Sequence, residues 1–456
     1  MSTSNIAAAR EIPAHLRARA RHRPANDGVG GRSPHHLAIW LTLVGLFTPK
    51  TMAVYAGGLM FSPGRIALSV LFLPALGQFF TGLSRGRRSI LGADLFVLAL
   101  SAWMLGAPYF EMSATSSPLG GASEVLEFFG AFLIGRAYVY GRPALESFMQ
   151  ALAAVAVVLT AIAVTDVIFG QYIVYDTTAR LFGARYFGAI ERSGIVRAQS
   201  TFDHPILFGA FGTVCAAIFL HCETGWRRLL YFSVCLFGAI LSISSGPLLA
   251  FGFMVGAFLY GTVMSNFPWR WKVFWAAIGL FLCALFSVSN SPVGWIIDHL
   301  TFDPVGGYFR LASWYSAFDR IAQSPWTGFF REKSGDEFLD RTVDSVWLVI
   351  ALLYGLPAVA FLILANLASF WRTRPERRPL TEGDVFMNWM RAGFTSALAM
   401  FMLIGLTVHY WNAMWMFWGL CIGIRTSLQE QYFASSKKLP RPIRLLQTSP
   451  DLTPSS

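Results

Sequence analysis

Long apolar runs alternate with short polar breaks along almost the whole chain. "ALAAVAVVLTAIAV" (151–164) and "LVIALLYGLPAVAFLILA" (348–365) contain no charged residue. Each fills most of the roughly 20-residue helix that crosses a bilayer. Repeated along the sequence, the pattern predicts spans at about 36–48, 63–83, 90–110, 123–141, 148–169, 204–222, 229–245, 247–265, 273–289, 345–366, 387–408 and 411–428. The first is short and borrows from "TPKTMAVYAGGLMF". Twelve spans place both termini on one side. Residues 1–34 and 431–456 read as polar tails around a transmembrane domain at 35–430, with the long polar segments 170–203 and 290–344 inside it.

Composition sharpens this to an all-α polytopic integral membrane protein. Of 456 residues, 55% are hydrophobic and only 13% charged, against about a quarter charged in soluble domains. The net charge of +11 does not point to nucleic acid, because the basic residues are scattered between apolar runs. They mark topology instead, since Lys and Arg hold short loops on the cytoplasmic side. Arg17, Arg19, Arg21 and Arg23 precede the first span, and the alternate breaks hold Arg85, Arg87 and Arg88, Arg142, Arg227 and Arg228, Arg270 and Lys272, then Arg372, Arg374, Arg377 and Arg378. Lys437, Lys438, Arg441 and Arg444 follow the last span. Both termini are therefore expected in the cytoplasm. The polar, Arg-rich start predicts an uncleaved anchor rather than a cleaved leader. Five cysteines in or beside spans lack ligand spacing, so neither a disulfide framework nor a zinc site is expected.

The two long segments sit on the other side yet carry eight arginines and Lys333. Long loops cross regardless of charge, and the guanidinium fork suits phosphate and carboxylate. Three stretches concentrate the candidate chemistry. In "RAQSTFDHPILFG" (197–209), Pro205 suits the first turn of a helix, and Ser200, Thr201 and Asp203 are the expected caps. Arg197 beside that helix N-terminus would make an anion site. In "YFRLASWYSAFDRIAQSPWTGF" (308–329), Leu311, Trp314, Tyr315, Phe318 and Ile321 recur at helical spacing. Arg310 then falls at the start of an amphipathic helix, against the dipole, where an anionic ligand or lipid phosphate would compensate it. In "VDSVWLVIALLYGLP" (343–357), Asp344 and Ser345 cap a span, or Asp344 serves as a base or orienting group. Asp94 and Asp166, near span ends, read as caps. No span is expected to hold an interior charge pair, and no internal repeat is visible, which together argue against an ion-coupled carrier.

These stretches resemble the signatures of the O-antigen ligase and Wzy-type polysaccharide polymerase superfamily, closest to exopolysaccharide polymerases. "STFDHP" after Arg197 resembles the STF-x-x-P segment, Arg310 followed by "SPWTG" resembles the Arg…SP-x-x-G segment of the large loop, and "DSVWLVIALLYGLP" resembles the loop-exit motif ending in Gly355. "FTPKTMAVYAGGLMFSPGRI" is similar to the first hairpin of the group. In the ligases the loop-exit motif opens with a histidine, where this chain has Asp344. The resemblance covers about 36–428 and implies a GT-C-like membrane glycosyltransferase with one large periplasmic loop. Its substrates would be undecaprenyl-pyrophosphate-linked oligosaccharides, joined at the outer face of a bacterial inner membrane. No metal-ligand cluster stands out in the sequence, so neither metal nor cofactor is expected. Chain-length and export proteins would be its partners. Arg197 and Arg310, with Arg341 and Arg185 behind them, are expected to hold the pyrophosphate. Asp344, Asp203 and His204 are the candidate bases.

Overall fold

The computed structural model describes residues 35–56, 59–110, 119–185, 188–289, 291–301, 304–330, 332, 335–341, 343–371 and 382–437. The basic tail 1–34, the basic break at 372–381 and residues 438–456 lie outside them. A helix occupies each of the twelve predicted segments. In chain order they are α1 (His36–Phe47), α2 (Pro63–Ser84), α3 (Gly92–Gly106), α4 (Leu119–Val125) running through the π-helical Leu126–Gly130 into α5 (Ala131–Tyr138), and α6 (Arg142–Phe169). The short α7 (Ile173–Phe182) precedes α8 (Pro205–Cys222), α9 (Gly225–Leu241), α10 (Ser245–Val263) and α11 (Arg270–Val288). The long segment then holds α12 (Pro292–Leu300), α13 (Pro304–Gln323) and α14 (Glu337–Arg341) before α15 (Val346–Phe370), α16 (Glu382–Ile404) and α17 (Ala413–Lys437). Among the described residues, seven helices are long and apolar enough to cross a membrane. The chain is thus an all-α, multi-pass membrane protein. Its last helix runs on to Lys437, beyond the expected span end at 428.

Among the described residues, strands are confined to two small hairpins, β1 (Val54–Ala56) with β2 (Leu59–Phe61) and β3 (Glu191–Arg192) with β4 (Ile195–Val196). Both lie at the end of the bundle that carries the long segments, called the loop end below; the opposite end is the basic end.

At the centre stand α8, almost wholly buried, and α17. α8 packs on α16 and α9, α17 on α5, and α3 on α15. Small residues make the closest of these contacts possible. A Cβ on Gly419 would lie 2.4 Å from the carbonyl oxygen of Phe128, and one on Gly423 within 2.2 Å of that of Phe132. This Gly-x-x-x-Gly face lets two backbones touch, as packing between membrane helices requires when lipid and side chain are equally apolar. α11 has no buried residue and lies at the periphery.

The expectation that spans carry no interior charge pairs is overturned. At the basic end, Arg136 is fully buried and pairs with Asp94 at 2.7 Å and Glu430 at 2.7 Å, while Arg88 meets Glu430 at 3.0 Å. Towards the loop end, Arg65 pairs with the buried Glu127 at 2.7 Å. Arg136 and Arg65 sit among mostly apolar neighbours in sequence and Arg88 in a basic break, and each carboxylate comes from a different helix. Asp94 does cap α3, accepting from the Leu91 N–H at 2.7 Å.

Candidate functional site: an arginine-lined cavity at the loop end

The segment between α7 and α8 is folded by its own turn chemistry. Ser193 and Gly194 both take positive φ (52° and 76°), the requirement of a tight two-residue hairpin. They fold β3 onto β4 with Arg192 opposite Ile195. The strand leaving the hairpin is pinned from three sides. The Arg197 N–H donates to the carbonyl of Ile190 at 2.9 Å, the Ala198 N–H to that of Leu241 at 2.9 Å, and the Tyr172 hydroxyl to that of Arg197 at 3.0 Å. Asp166, buried at the end of α6, accepts from the N–H groups of Gln199 (3.2 Å) and Ser200 (2.7 Å). That contact holds Ser200 at φ 56°.

Arg197 is buried, donating from Nε to the carbonyl of Ser242 at 3.1 Å and from its terminal nitrogen to the Ser244 hydroxyl at 2.7 Å. Arg192 donates to the carbonyl of Ile243 at 3.0 Å. Both reach the short turn before α10. The N-cap of α10 is Ser244, whose hydroxyl serves Arg197 rather than its own helix. The opening amides of a helix have no intrahelical partner and carry the positive end of its dipole. Here that end opens into a cavity of about 510 Å³ lined by Ser244, Ser245 and Gly246, by Arg192, Arg197 and Arg310, and by apolar side chains of α12 and α13.

α13 supplies the opposite wall. It starts at Pro304, so Arg310 lies in its second turn and not at its first residue, and the expected conflict with the dipole is smaller than its sequence position suggests. Arg310 meets Asp344 at 3.0 Å. The predicted apolar stripe is divided. Ile321, with Ala317, packs against Leu348 and Ala351 of α15. Trp314 touches both that cluster and the cavity, while Leu311, Tyr315 and Phe318 face the cavity, where Tyr315 and Phe318 stay more than half exposed. Aromatic side chains left open beside arginines make a surface that is apolar along its length and cationic at one end.

The two loop motifs meet in space. α15 breaks at Gly355 (φ 78°, ψ 174°), and the "SPWTG" segment docks into the break. The N–H of Phe329 donates to the carbonyl of Leu352 at 2.6 Å, that of Phe330 to Leu353 at 3.0 Å, and that of Leu356 to Pro325 at 2.8 Å. A Cβ on Gly355 would fall 2.0 Å from the Trp326 carbonyl oxygen, and one on Gly328 2.6 Å from that of Leu352. Backbone thus bonds backbone where only glycine leaves room. This seam fixes the end of α13 relative to the bundle.

The remaining candidates separate. Asp203 is not a cap and lies outside the wall of the arginine cavity. It accepts from the Tyr175 hydroxyl at 2.9 Å, from Trp411 Nε1 at 3.1 Å and from Asn412 Nδ2 at 2.5 Å, with Lys50 Nζ at 3.6 Å. With its oxygens so engaged, it ties four segments of the loop end together. The cap of α8 is His204, whose Nδ1 accepts from the Ile206 N–H at 3.2 Å. That contact leaves the ring proton on Nε2 in the neutral form, so the other nitrogen is a donor and not a base. Burial, with Arg197 and Arg310 close by, pushes the His204 pKa down to about 4. His204 is therefore neutral at pH 7.

Asp344 is the one candidate carboxylate beside a cavity arginine, and it remains over a third exposed. Arg185 is exposed and does not line the cavity. Arg341 closes α14, and its side chain lies outside the described set. Arg192 and Lys50 were not singled out in sequence; the Ser193–Gly194 turn signal beside Arg192 could have drawn attention to it.

Fold and site together define a multi-pass helical membrane protein with an amphipathic, arginine-lined cavity at one end. Neither a protein-family model nor a curated protein matches the chain.

Proposed function

We propose that this chain is a polysaccharide polymerase of the bacterial inner membrane. It would join oligosaccharide repeat units carried on undecaprenyl pyrophosphate at the outer face, through twelve spans with both termini in the cytoplasm. The observation that carries the reading is the cavity itself. Three arginines and a helix N-terminus stand at one end of an aromatic and aliphatic wall, which complements a ligand with a doubly charged head and a long prenyl tail.

In this reading Arg197, Arg310 and Arg192 hold the pyrophosphate. Its charge grows as the sugar–oxygen bond breaks, so donors already fixed in place stabilise the transition state more than the ground state. Hydrogen bonds to a charged group contribute roughly 1.5–3 kcal/mol each, and three make a barrier change of many powers of ten accessible. Asp344 orients the acceptor hydroxyl and takes its proton as that oxygen attacks the anomeric carbon. The bond to the pyrophosphate breaks, and undecaprenyl pyrophosphate leaves. Asp203 and His204 shape the site without touching the reacting atoms. The energy comes from the donor's own bond, so no nucleotide is required.

The test is the size distribution of lipid-linked glycans in cells carrying Arg197→Ala or Arg310→Ala at matched protein levels. Accumulation of single-repeat lipid with loss of long chains is expected. Long chains that form normally but stay on their carrier would replace this reading with a ligase. Unchanged glycans would remove the arginines from the reaction.

A further inference from the structure

A second, larger cavity of about 870 Å³ lies at the basic end, between α8, α10, α11 and α16. It shares no lining residue with the arginine cavity at the loop end. Two guanidinium groups stand in its wall. Arg425, fully buried on α17, donates to the Thr395 hydroxyl at 2.8 Å and to the carbonyl of Ser369 at 3.0 Å, contacts that fix its plane. Arg391, one α16 turn from Thr395, bonds Asn388 and lies over the Tyr432 ring. Facing them is an aromatic wall built by Phe253, Phe258, Phe274 and Trp275. α11, which gives two of these rings, has no buried residue. It is held to α10 by ring contacts, Phe253–Phe274 at 6.0 Å and Tyr260–Phe274 at 5.1 Å. The cavity is therefore a wedge between a peripheral helix and the body of the bundle, cationic on the body side and aromatic on the peripheral side.

We infer that this wedge binds an anionic phospholipid. The phosphate sits on Arg391 and Arg425, where the planar forks match its oxygens, and the chains lie along the aromatic wall. The volume falls in the range of sites that enclose most of a small ligand. A soluble phosphate would use the arginines and leave the aromatic wall bare, so the lipid is the ligand class that uses both. The site would fasten α10 and α11 to the body. The inference does not rest on the polymerase reading.

Native mass spectrometry of the purified full-length chain, titrated with phosphatidylglycerol, phosphatidylcholine or glycerol 3-phosphate, tests it. Phosphatidylglycerol should bind in preference to the zwitterionic lipid, and glycerol 3-phosphate should not compete at equal concentration. Arg391→Gln should weaken phosphatidylglycerol about ten-fold or more, the loss of one charge-assisted contact. Ala399→Trp, which fills the wedge and removes no polar group, should weaken it similarly and keeps the test open if the arginine variant misfolds. Equal binding of the two lipids, unchanged binding in Ala399→Trp, or full competition by glycerol 3-phosphate would each overturn the inference.

Discussion

Arg136 and Arg310 each meet an aspartate, at 2.7 Å and 3.0 Å, and the two pairs have opposite meanings. Around Arg136 the charges balance: Arg88 and Arg136 face Asp94 and Glu430, the side chain is fully buried, and the backbone of Ser89 takes a further bond. Around Arg310 the pair is open: the Arg310 and Asp344 side chains are 28% and 39% exposed, and Arg192 and Arg197 line the same cavity. Closure marks charge that holds helices together; charge lining open space is placed to meet a ligand. The backbone draws the same contrast. Among the described residues, all five non-glycine residues with positive φ, Ser193, Ser200, Ile243, Phe330 and Asn412, lie at the loop end. Each costs of order 1–3 kcal/mol, and the β-branched Ile243 is the most unusual of them. Neither cluster lies mid-bundle, where a carrier of the repeat-built kind binds its cargo.

The comparison breaks first at Arg136. Arg136→Ala leaves Asp94 without its cation and Glu430 with Arg88 alone, which should cost about 3–5 kcal/mol and abolish folded protein in size-exclusion runs. Arg310→Ala removes a pair that is roughly a third exposed and worth no more than ~1 kcal/mol to stability. It should elute and melt like the parent while losing activity. If both variants misfold alike, the distinction between the two ends fails.

Next comes the seam. Gly355→Ala puts a methyl where the Trp326 carbonyl lies and forces a positive φ on an L side chain. It should release α13 from the bundle and abolish polymer formation. Faster proteolysis confined to 304–330 would report that release, and normal polymer from this variant would show that the seam is dispensable.

The smallest expected effect is a pH dependence of stability. His204 and His409 are both pushed down to about 4 from an ordinary 6.5, chiefly by burial. Between those values the unfolded state binds the protons, so this stability is intact above about 6.5 and is lost as pH falls to about 4. His204→Asn, which keeps a capping side chain, should flatten thermal unfolding temperature against pH in that window. An unchanged slope would remove His204 as its source.

What was legible in the sequence was what repeats or bends. Apolar runs marked the twelve segments that each hold a helix, though not α7, α12 or α14, and Pro205 marked the start of α8. Contacts across distant segments were not legible. Lys50 and Asp203 are 3.6 Å apart in space, and nothing in either local pattern names the other. The lone arginine of "FFGAFLIGRAYVY" was a usable signal, because a charge in an apolar run demands a partner; that the partners are Asp94 and Glu430 required the fold. The aromatic stripe on α13 was found, but periodicity tells which residues share a face and not whether that face meets protein or a cavity.

The most direct measurement of the central claim is binding of undecaprenyl pyrophosphate to the purified chain in nanodiscs. The parent should bind it, and Arg197→Ala and Arg310→Ala, both still folded, should each bind roughly ten- to 150-fold more weakly, the equivalent of one charge-assisted hydrogen bond. Undiminished affinity in both variants would contradict the account, since the arginines would then face a cavity that the pyrophosphate does not enter.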